Sequence, residues 1–276
     1  MMQQQQYKVI VLDLDGTLTN DKKEITPRTR SALTEAMRLG VKVVLASGRP
    51  VYGITALAEE LDLKHYGGYI MAFNGGKIID CGSGEVIFNQ QLDDRAIPLL
   101  YREAKESGME ILTYQGPEIV TTKRENKYVL TEAFINKMKV RQLDDFPKEV
   151  IPPLNKCLIV GDPNPLHQLE LQLSVLLKGK VDVYRSAGFF LECVPPGVDK
   201  SLSLQRLLDR LHLTREEVIA CGDGYNDLSM IRFAGLGVAM ANAAKEVQDA
   251  ADYVTWSNEE DGVAHVVEKF VLRAEK

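Results

Sequence analysis

The sequence predicts an α/β core on a parallel sheet, interrupted by an inserted α+β module. Three observations carry this reading. Short apolar, β-branched runs alternate with helix-spaced apolar stripes in the first and last thirds of the chain. The middle third abandons that alternation for strands paired around glycine turns. Polar clusters stand directly after several of the buried runs, which is where open parallel sheets bind ligands.

Val9–Leu12 reads as the first buried parallel strand. Thr26 and Pro27 then supply an N-cap and a first-turn proline; Leu33, Ala36 and Met37 give the helix an apolar face, and Gly40 ends it. Val41–Ala46 is a second strand, ending at Ser47-Gly48-Arg49-Pro50, and a helix follows over 51–61. Tyr69–Phe73 is a third strand, ending at Asn74-Gly75-Gly76, and 77–80 with 85–88 form a hairpin. The middle third predicts helices over 94–107, 124–138 and 165–177, and strands over 109–113, 118–122, 157–160, 181–185 and 189–194. Leu204, Leu207, Leu208 and Leu211 form a helical stripe, and Val218–Cys221 is a strand ending at Gly222-Asp223-Gly224-Tyr225-Asn226-Asp227. Helix 228–234, strand 236–240, helix 243–251, strand 253–255 and a helix through Val263, Val266, Val267 and Phe270 complete the alternation.

At 276 residues the chain has room for one large or two modest domains. Its 45% hydrophobic and 26% charged content is that of an ordinary globular protein. A formal net charge of -6 argues against a general binder of nucleic acid or anionic membrane. Cys81, Cys157, Cys193 and Cys221 are scattered and only four His are present, so neither a disulfide framework nor a zinc site is expected. No apolar run approaches the ~20 residues of a membrane span. Met1–Gln6 has neither a basic region nor an apolar core, and reads as a polar tail rather than a signal peptide. These features predict a cytoplasmic location.

Asp13-Leu14-Asp15-Gly16-Thr17 follows the first strand. Carboxylates two residues apart point the same way while strand geometry persists. Like charges that close call for a cation or a proton, and Gly16 lets the backbone turn sharply away. This suits a nucleophilic carboxylate with an acid/base carboxylate beside it. Ser47, Asn74 and Asp223 stand at the ends of other predicted strands. Asp199 is a predicted N-cap that places Lys200 in the first turn of the Leu204–Leu211 helix, where an anion is already favoured.

Four segments in order resemble the haloacid dehalogenase superfamily, in its Cof-type sugar-phosphate phosphatase branch. They are Asp13-Leu14-Asp15-Gly16-Thr17, Ala46-Ser47-Gly48-Arg49-Pro50, Gly197-Val198-Asp199-Lys200 and Gly222-Asp223-Gly224-Tyr225-Asn226-Asp227. The tail segments Val238-Ala239-Met240-Ala241-Asn242-Ala243 and Glu260-Asp261-Gly262-Val263 resemble the branch as well. Ser201 and Ala241 stand where the branch commonly has glycine. The resemblance implies a Rossmann-like core over 1–84 and 189–276, with a cap domain over 85–188. It also implies a phosphatase for small phosphomonoesters, most readily sugar phosphates. In that reading Asp13 attacks phosphorus to form an aspartyl-phosphate. Asp15 protonates the leaving oxygen, then takes a proton from the hydrolytic water. Mg²⁺ is the implied cofactor, held by Asp13, the Asp15 carbonyl and Asp223, with Asp227 either a ligand or behind one. Leu14, Ser47, Gly48, Lys200 and Asn226 are the implied holders of phosphate oxygens. The implied partner is a small phosphorylated molecule, with no nucleic acid and no membrane; monomer and homodimer stay open.

Each of these residues has an ordinary reading when taken alone. Asp13 and Asp15 can end a strand, Ser47 and Asp227 can serve turns or caps, and Lys200 can be a solvated lysine. The complete set in order makes them candidates. Arg49 is left between a substrate contact and a surface role, and Asn74-Gly75-Gly76 between a cleft loop and a tight turn. His65, His167, His212 and His265 show no ligand spacing. In the cap, Lys123, Arg124, His167 and Arg185 are candidates for a sugar or a second phosphate, with solvated positions as the alternative. A phosphomutase using the same intermediate and a non-catalytic phosphate sensor are the competing functions.

Overall fold

A computed structural model of the chain describes residues 7–273; the expected polar tail, Met1–Gln6, lies outside them. The chain divides into two compact units, residues 7–88 with 199–273, and Asn89–Val198. The first unit begins β1 (Val9–Leu12), α1 (Pro27–Arg38), β2 (Lys42–Ala46), α2 (Val51–Glu60), α3 (Leu63–Tyr66), β3 (Tyr69–Ala72), β4 (Lys77–Asp80) and β5 (Val86–Asn89). The second holds α4 (Ile97–Glu106), β6 (Glu110–Gln115), β7 (Glu118–Thr121), α5 (Lys127–Asn136), β8 (Lys139–Gln142), α6 (Phe146–Glu149), β9 (Cys157–Val160), α7 (Pro163–Leu176), β10 (Asp182–Ala187) and β11 (Phe190–Val194). The first unit then resumes with α8 (Lys200–Leu211), β12 (Val218–Gly222), α9 (Leu228–Phe233), β13 (Leu236–Ala239), α10 (Lys245–Ala250), β14 (Tyr253–Val254) and α11 (Gly262–Val267).

The first unit's sheet runs β14-β13-β12-β1-β2-β3-β4-β5. The six strands from β14 to β3 are parallel, and β4 pairs antiparallel with β3. The α/β architecture expected from the sequence is therefore present. Val9, Val11, Val44 and Met71 pack one face of this sheet against Leu204, Leu207 and Leu208 of α8. Each such buried leucine stabilises the fold by roughly 2 kcal/mol. The register fixes what emerges above the sheet. Leu12 stands opposite Leu45 on one side and Cys221 on the other. Asp13, Ser47 and Asp223 therefore leave neighbouring strands within two residues of a common level. From β1 the chain runs outward through β2 to β3, and from β12, on the other side of β1, outward through β13 to β14; strand order thus reverses between β1 and β12, the switch where α/β sheets place ligands.

The second unit has a six-stranded sheet, β10-β11-β9-β6-β7-β8. All its pairings are antiparallel except β7 with β8. One face buries Ile111, Cys157, Ile159 and Leu191 with Leu100 of α4 and Leu166, Leu169 and Leu173 of α7.

Two of the expected domain boundaries are corrected. Val86–Asn89 belongs to the eight-stranded sheet, so the first unit extends beyond 84. Phe190–Val194 is an inner strand of the second sheet, between β9 and β10, so the first unit does not resume at 189. The run Phe190–Val194 is fully buried and looks locally like a core strand; its partners decide its sheet. The helix expected over 124–138 is shorter, because Lys137 adopts a left-handed conformation that ends α5 and frees β8 to pair with β7. All four cysteines are free thiols, as expected, and three are buried. Among the described residues no helix is long and apolar enough to cross a membrane.

Candidate active site

Asp13 continues the line of β1, its N–H donating to the Cys221 carbonyl at 3.0 Å. Its side chain is buried and its Oδ1 accepts from Lys200 Nζ at 2.7 Å. The Asp199 side chain caps α8 by accepting from the Ser201 and Leu202 amides, which sets Lys200 at the first helical position as predicted. The Lys200 ammonium, 1% exposed, also donates to Asp227 Oδ1 at 2.6 Å and to the Ala46 carbonyl at 2.9 Å. Asp227 has no exposed surface, and its Oδ2 accepts the Asp223 and Gly224 amides at 3.0 and 2.9 Å. Both of its oxygens are thus engaged in building the loop. Asp223 Oδ1 accepts from Thr17 Oγ1 at 2.8 Å.

Carboxylate oxygens of Asp13, Asp223 and Asp227 lie within 4.8 Å of one another. Three carboxylates around one ammonium leave the cluster two charges negative if all ionise. Burial pushes the Asp13 carboxyl well above its ordinary value, Asp227 adds to the rise, and Lys200 opposes it. Burial lifts Asp223 to about 6 against the pull of the Thr17 hydrogen bond. Burial disfavours the Lys200 ammonium, but Asp13 and Asp227 outweigh it and its pKa is raised. A buried, net-negative set of hard oxygen donors fits a small divalent cation.

Asp15 is held differently. Arg49 donates from Nε to Oδ2 at 2.7 Å and from Nη2 to Oδ1 at 2.6 Å, a bidentate pair. Lys23 approaches Oδ1 at 2.7 Å. Burial alone raises this carboxyl, but the two cations outweigh it and its pKa is lowered. Arg49 is 7% exposed and its Nη1 donates to the Gly53 carbonyl. Arg49 is thus neither the substrate contact nor the surface residue that the sequence alone offers, but the clamp on Asp15. Lys23 was missed entirely. For the clamp itself the available signal was Arg49, an arginine between a buried strand and a helix start; Lys23, in the loop before α1, offered none.

Ser47 is buried, and its Oγ accepts the Arg49 amide at 3.2 Å. The Asn74 amide donates to the Ser47 carbonyl, and Asn226 Nδ2 donates to Asn74 Oδ1 at 3.2 Å. A Cβ on Gly48 would stand 3.2 Å from the Asn74 amide, so Asn74 packs directly over this turn. Asn74 is left-handed at φ 55, which an asparagine tolerates better than most residues. Both readings for Asn74 meet here: it lies in the tight turn Phe73–Gly75 and its side chain contacts Asn226. The Leu14 side chain is fully buried, which leaves its backbone as the part able to meet a ligand. None of the four histidines joins this cluster; His167 pairs with Glu170 and His265 with Tyr253.

A profile of the haloacid dehalogenase-like hydrolases matches residues 10–267. The chain belongs to this family. A haloacid dehalogenase-like hydrolase from Bacteroides thetaiotaomicron is 53% identical; the match covers 95% of this chain and 99% of that one, with a TM-score of 0.93. YxeH of Bacillus subtilis, a protein named provisionally as a phosphatase, is 34% identical over 96% of this chain and 99% of its own. The 5-amino-6-(5-phospho-D-ribitylamino)uracil phosphatase YcsE of the same bacterium is 30% identical, over 96% of both. The membership expected from the four motifs is the membership found.

The cap candidates fare unevenly in this hydrolase. Lys123 and Arg124 line a cavity of ≈ 400 Å³ with Thr122, Glu125, Asn126 and Gln142. Arg185 and His167 both pair with Glu170, which accounts for them structurally.

Proposed function

We propose that this hydrolase is a divalent-metal-dependent phosphatase of small phosphomonoesters, with Asp13 as nucleophile. The observation that carries the reading is the buried Asp13–Lys200–Asp227 chain beside Asp223. It is built to accept positive charge and to aim one carboxylate out of the end of β1. Relatives named as phosphatases support the reaction class, and the phosphoribityl compound in one of those names supports a sugar-like leaving group.

In this account Asp13 and Asp223, with the Asp15 carbonyl, hold Mg²⁺. Asp227 acts from behind them, because both its oxygens are engaged with Lys200 and backbone amides. The cation supplies charge neutralisation that lets Asp13 ionise beside an anionic phosphate. Lys200 fixes Asp13 and neutralises charge on the transferring group, with Ser47, the Leu14 and Gly48 backbone and Asn226 around its oxygens. Asp13 attacks phosphorus, the bond to the leaving oxygen breaks, and Asp15 delivers a proton to that oxygen. Water then attacks phosphorus and gives a proton to Asp15, the bond between Asp13 and phosphorus breaks, and inorganic phosphate leaves with the Asp13 carboxylate restored. Held by Arg49 and Lys23, Asp15 is a carboxylate, the form required in the second half; the first half needs it protonated and turned from that clamp. Soluble-enzyme assays of phosphate release across hexose, pentose, triose and nucleotide phosphates test the reading, with Mg²⁺ or EDTA and with Asp13→Asn alongside. Release that needs the metal and disappears in Asp13→Asn is expected. Isomerised sugar with little free phosphate would replace the phosphatase by a mutase, and tight binding without turnover by a sensor.

A further inference from the structure

The turn that follows the nucleophile closes partly on itself. Leu18 N–H donates to the Asp13 carbonyl at 3.2 Å and Thr19 N–H to the Leu14 carbonyl at 2.9 Å. Two of its carbonyls, those of Gly16 and Thr19, are taken by asparagines from the far end of the chain. Asn242 Nδ2 donates to the Gly16 carbonyl at 2.9 Å. Asn258 Nδ2 donates to the Thr19 carbonyl at 3.0 Å. The two asparagines are themselves joined, Asn258 N–H donating to Asn242 Oδ1 at 3.1 Å. That bond fixes which way the Asn242 amide faces: its oxygen receives an N–H, so its nitrogen must meet the Gly16 carbonyl. Asn258 is buried, and the adjacent Glu259 accepts the Asp21 amide at 2.6 Å. The same turn carries Thr17, whose hydroxyl holds Asp223, and Gly16, where a Cβ would come within 2.4 Å of Asp223 Oδ2.

We infer that Asn242 and Asn258 form a relay that positions the active site, pinning the Gly16–Thr19 turn so that Thr17 stays on Asp223 and Asp15 stays in register beside Asp13. Neither asparagine has a hydrogen bond to Asp13, Asp15 or Asp223 among those described; each acts through the turn. The relay gives two segments more than 220 residues away in sequence a part in holding the turn. Removing either donor leaves a turn carbonyl unpaired and gives the turn freedom to move. Displacements of about 1 Å at reacting groups cost on the order of a hundredfold in rate. The catalytic meaning of the relay rests on the proposed phosphatase reading, but its structural part does not.

The test uses the full chain with Asn242→Ala, Asn258→Ala and both together. Backbone amide exchange, followed by NMR without metal or substrate, is expected to quicken at least about tenfold at Leu18 and Thr19 in each single variant. The double variant is expected to exceed the worse single variant only slightly, because the two side chains serve one relay. With an aryl phosphate, kcat is expected to fall about tenfold or more while KM changes little. Unchanged exchange would overturn the relay, and so would faster exchange with wild-type kcat. If Asn258→Ala does not fold, the exposed Asn242→Ala decides. If the wild type itself releases no phosphate, the phosphatase reading falls, and wild-type protection of Leu18 and Thr19 in Asn242→Ala would still overturn the relay.

Discussion

Replacing Asp223 by Asn should stabilise the metal-free protein while destroying its response to metal. Asp223 is lifted from an ordinary aspartate's 3.8 to about 6, with burial as the largest cause and Asp227 adding to it. A rise of that size corresponds to about 3 kcal/mol of unfavourable free energy for the charged form. The sign follows from linkage. Below about pH 4 the group is protonated folded or unfolded, and it costs nothing. Between about pH 4 and 6 the folded state holds the extra proton, so stability falls as pH rises; above about 6 the whole cost is present. Asn keeps an oxygen to accept from Thr17 and removes the charge. Denaturant unfolding in EDTA at pH 7.5 should therefore show Asp223→Asn more stable by up to about 3 kcal/mol, and equal to wild type near pH 4. Mg²⁺ should stabilise the wild type, by about 2.7 kcal/mol at a hundredfold excess over its Kd, and leave the variant unmoved. A variant less stable than wild type in EDTA at pH 7.5, or still stabilised by Mg²⁺, would refute the charge argument.

Other expectations follow from the same contacts. Lys200→Met should cost about 3–5 kcal/mol in thermal or denaturant unfolding, because Asp13 and Asp227 lose the ammonium that both contact in a buried setting. Gly16→Ala should lower kcat by about a hundredfold, since the residue sits at φ +85 and its new Cβ meets Asp223; steady-state kinetics with an aryl phosphate reads this. Asp15→Asn should fail on alkyl phosphates, whose leaving oxygen needs a proton, and keep phosphoryl transfer from aryl phosphates. Equal loss on both substrate classes would remove the acid role from Asp15.

Much of the first unit was legible because its inner strands β1, β2, β3, β12 and β13 are short apolar runs buried almost throughout, and the ends of several carry the polar residues. Thr26 and Asp199 were legible as caps, and both side chains accept backbone amides at helix starts. β8 was not legible, because the helix before it ends at a left-handed lysine rather than at glycine. The sheet to which Phe190–Val194 belongs was not legible either, since its partners lie in β9 and β10 and its own composition is silent on them. Asp13 could be nominated by type and spacing and Lys200 by its place at a helix start, whereas Asp227 became a candidate only through the resemblance of the complete motif set. The Arg49 and Lys23 clamp on Asp15, and the Asn242–Asn258 relay, depend on contacts across 34 and more than 220 residues of sequence or on a loop's path. Local pattern contains no record of such pairings.

The central claim is that Asp13 becomes phosphorylated, and trapping that species tests it most directly. Asp15→Asn mixed with an aryl phosphate and Mg²⁺, quenched in acid within one turnover and digested, gives the peptide carrying Asp13 for mass spectrometry. Phosphoryl mass on Asp13 is expected, because the leaving group needs no acid and the base for the hydrolytic water is gone. Turnover of the aryl phosphate with no phosphoryl group on Asp13 at any quench time would contradict it.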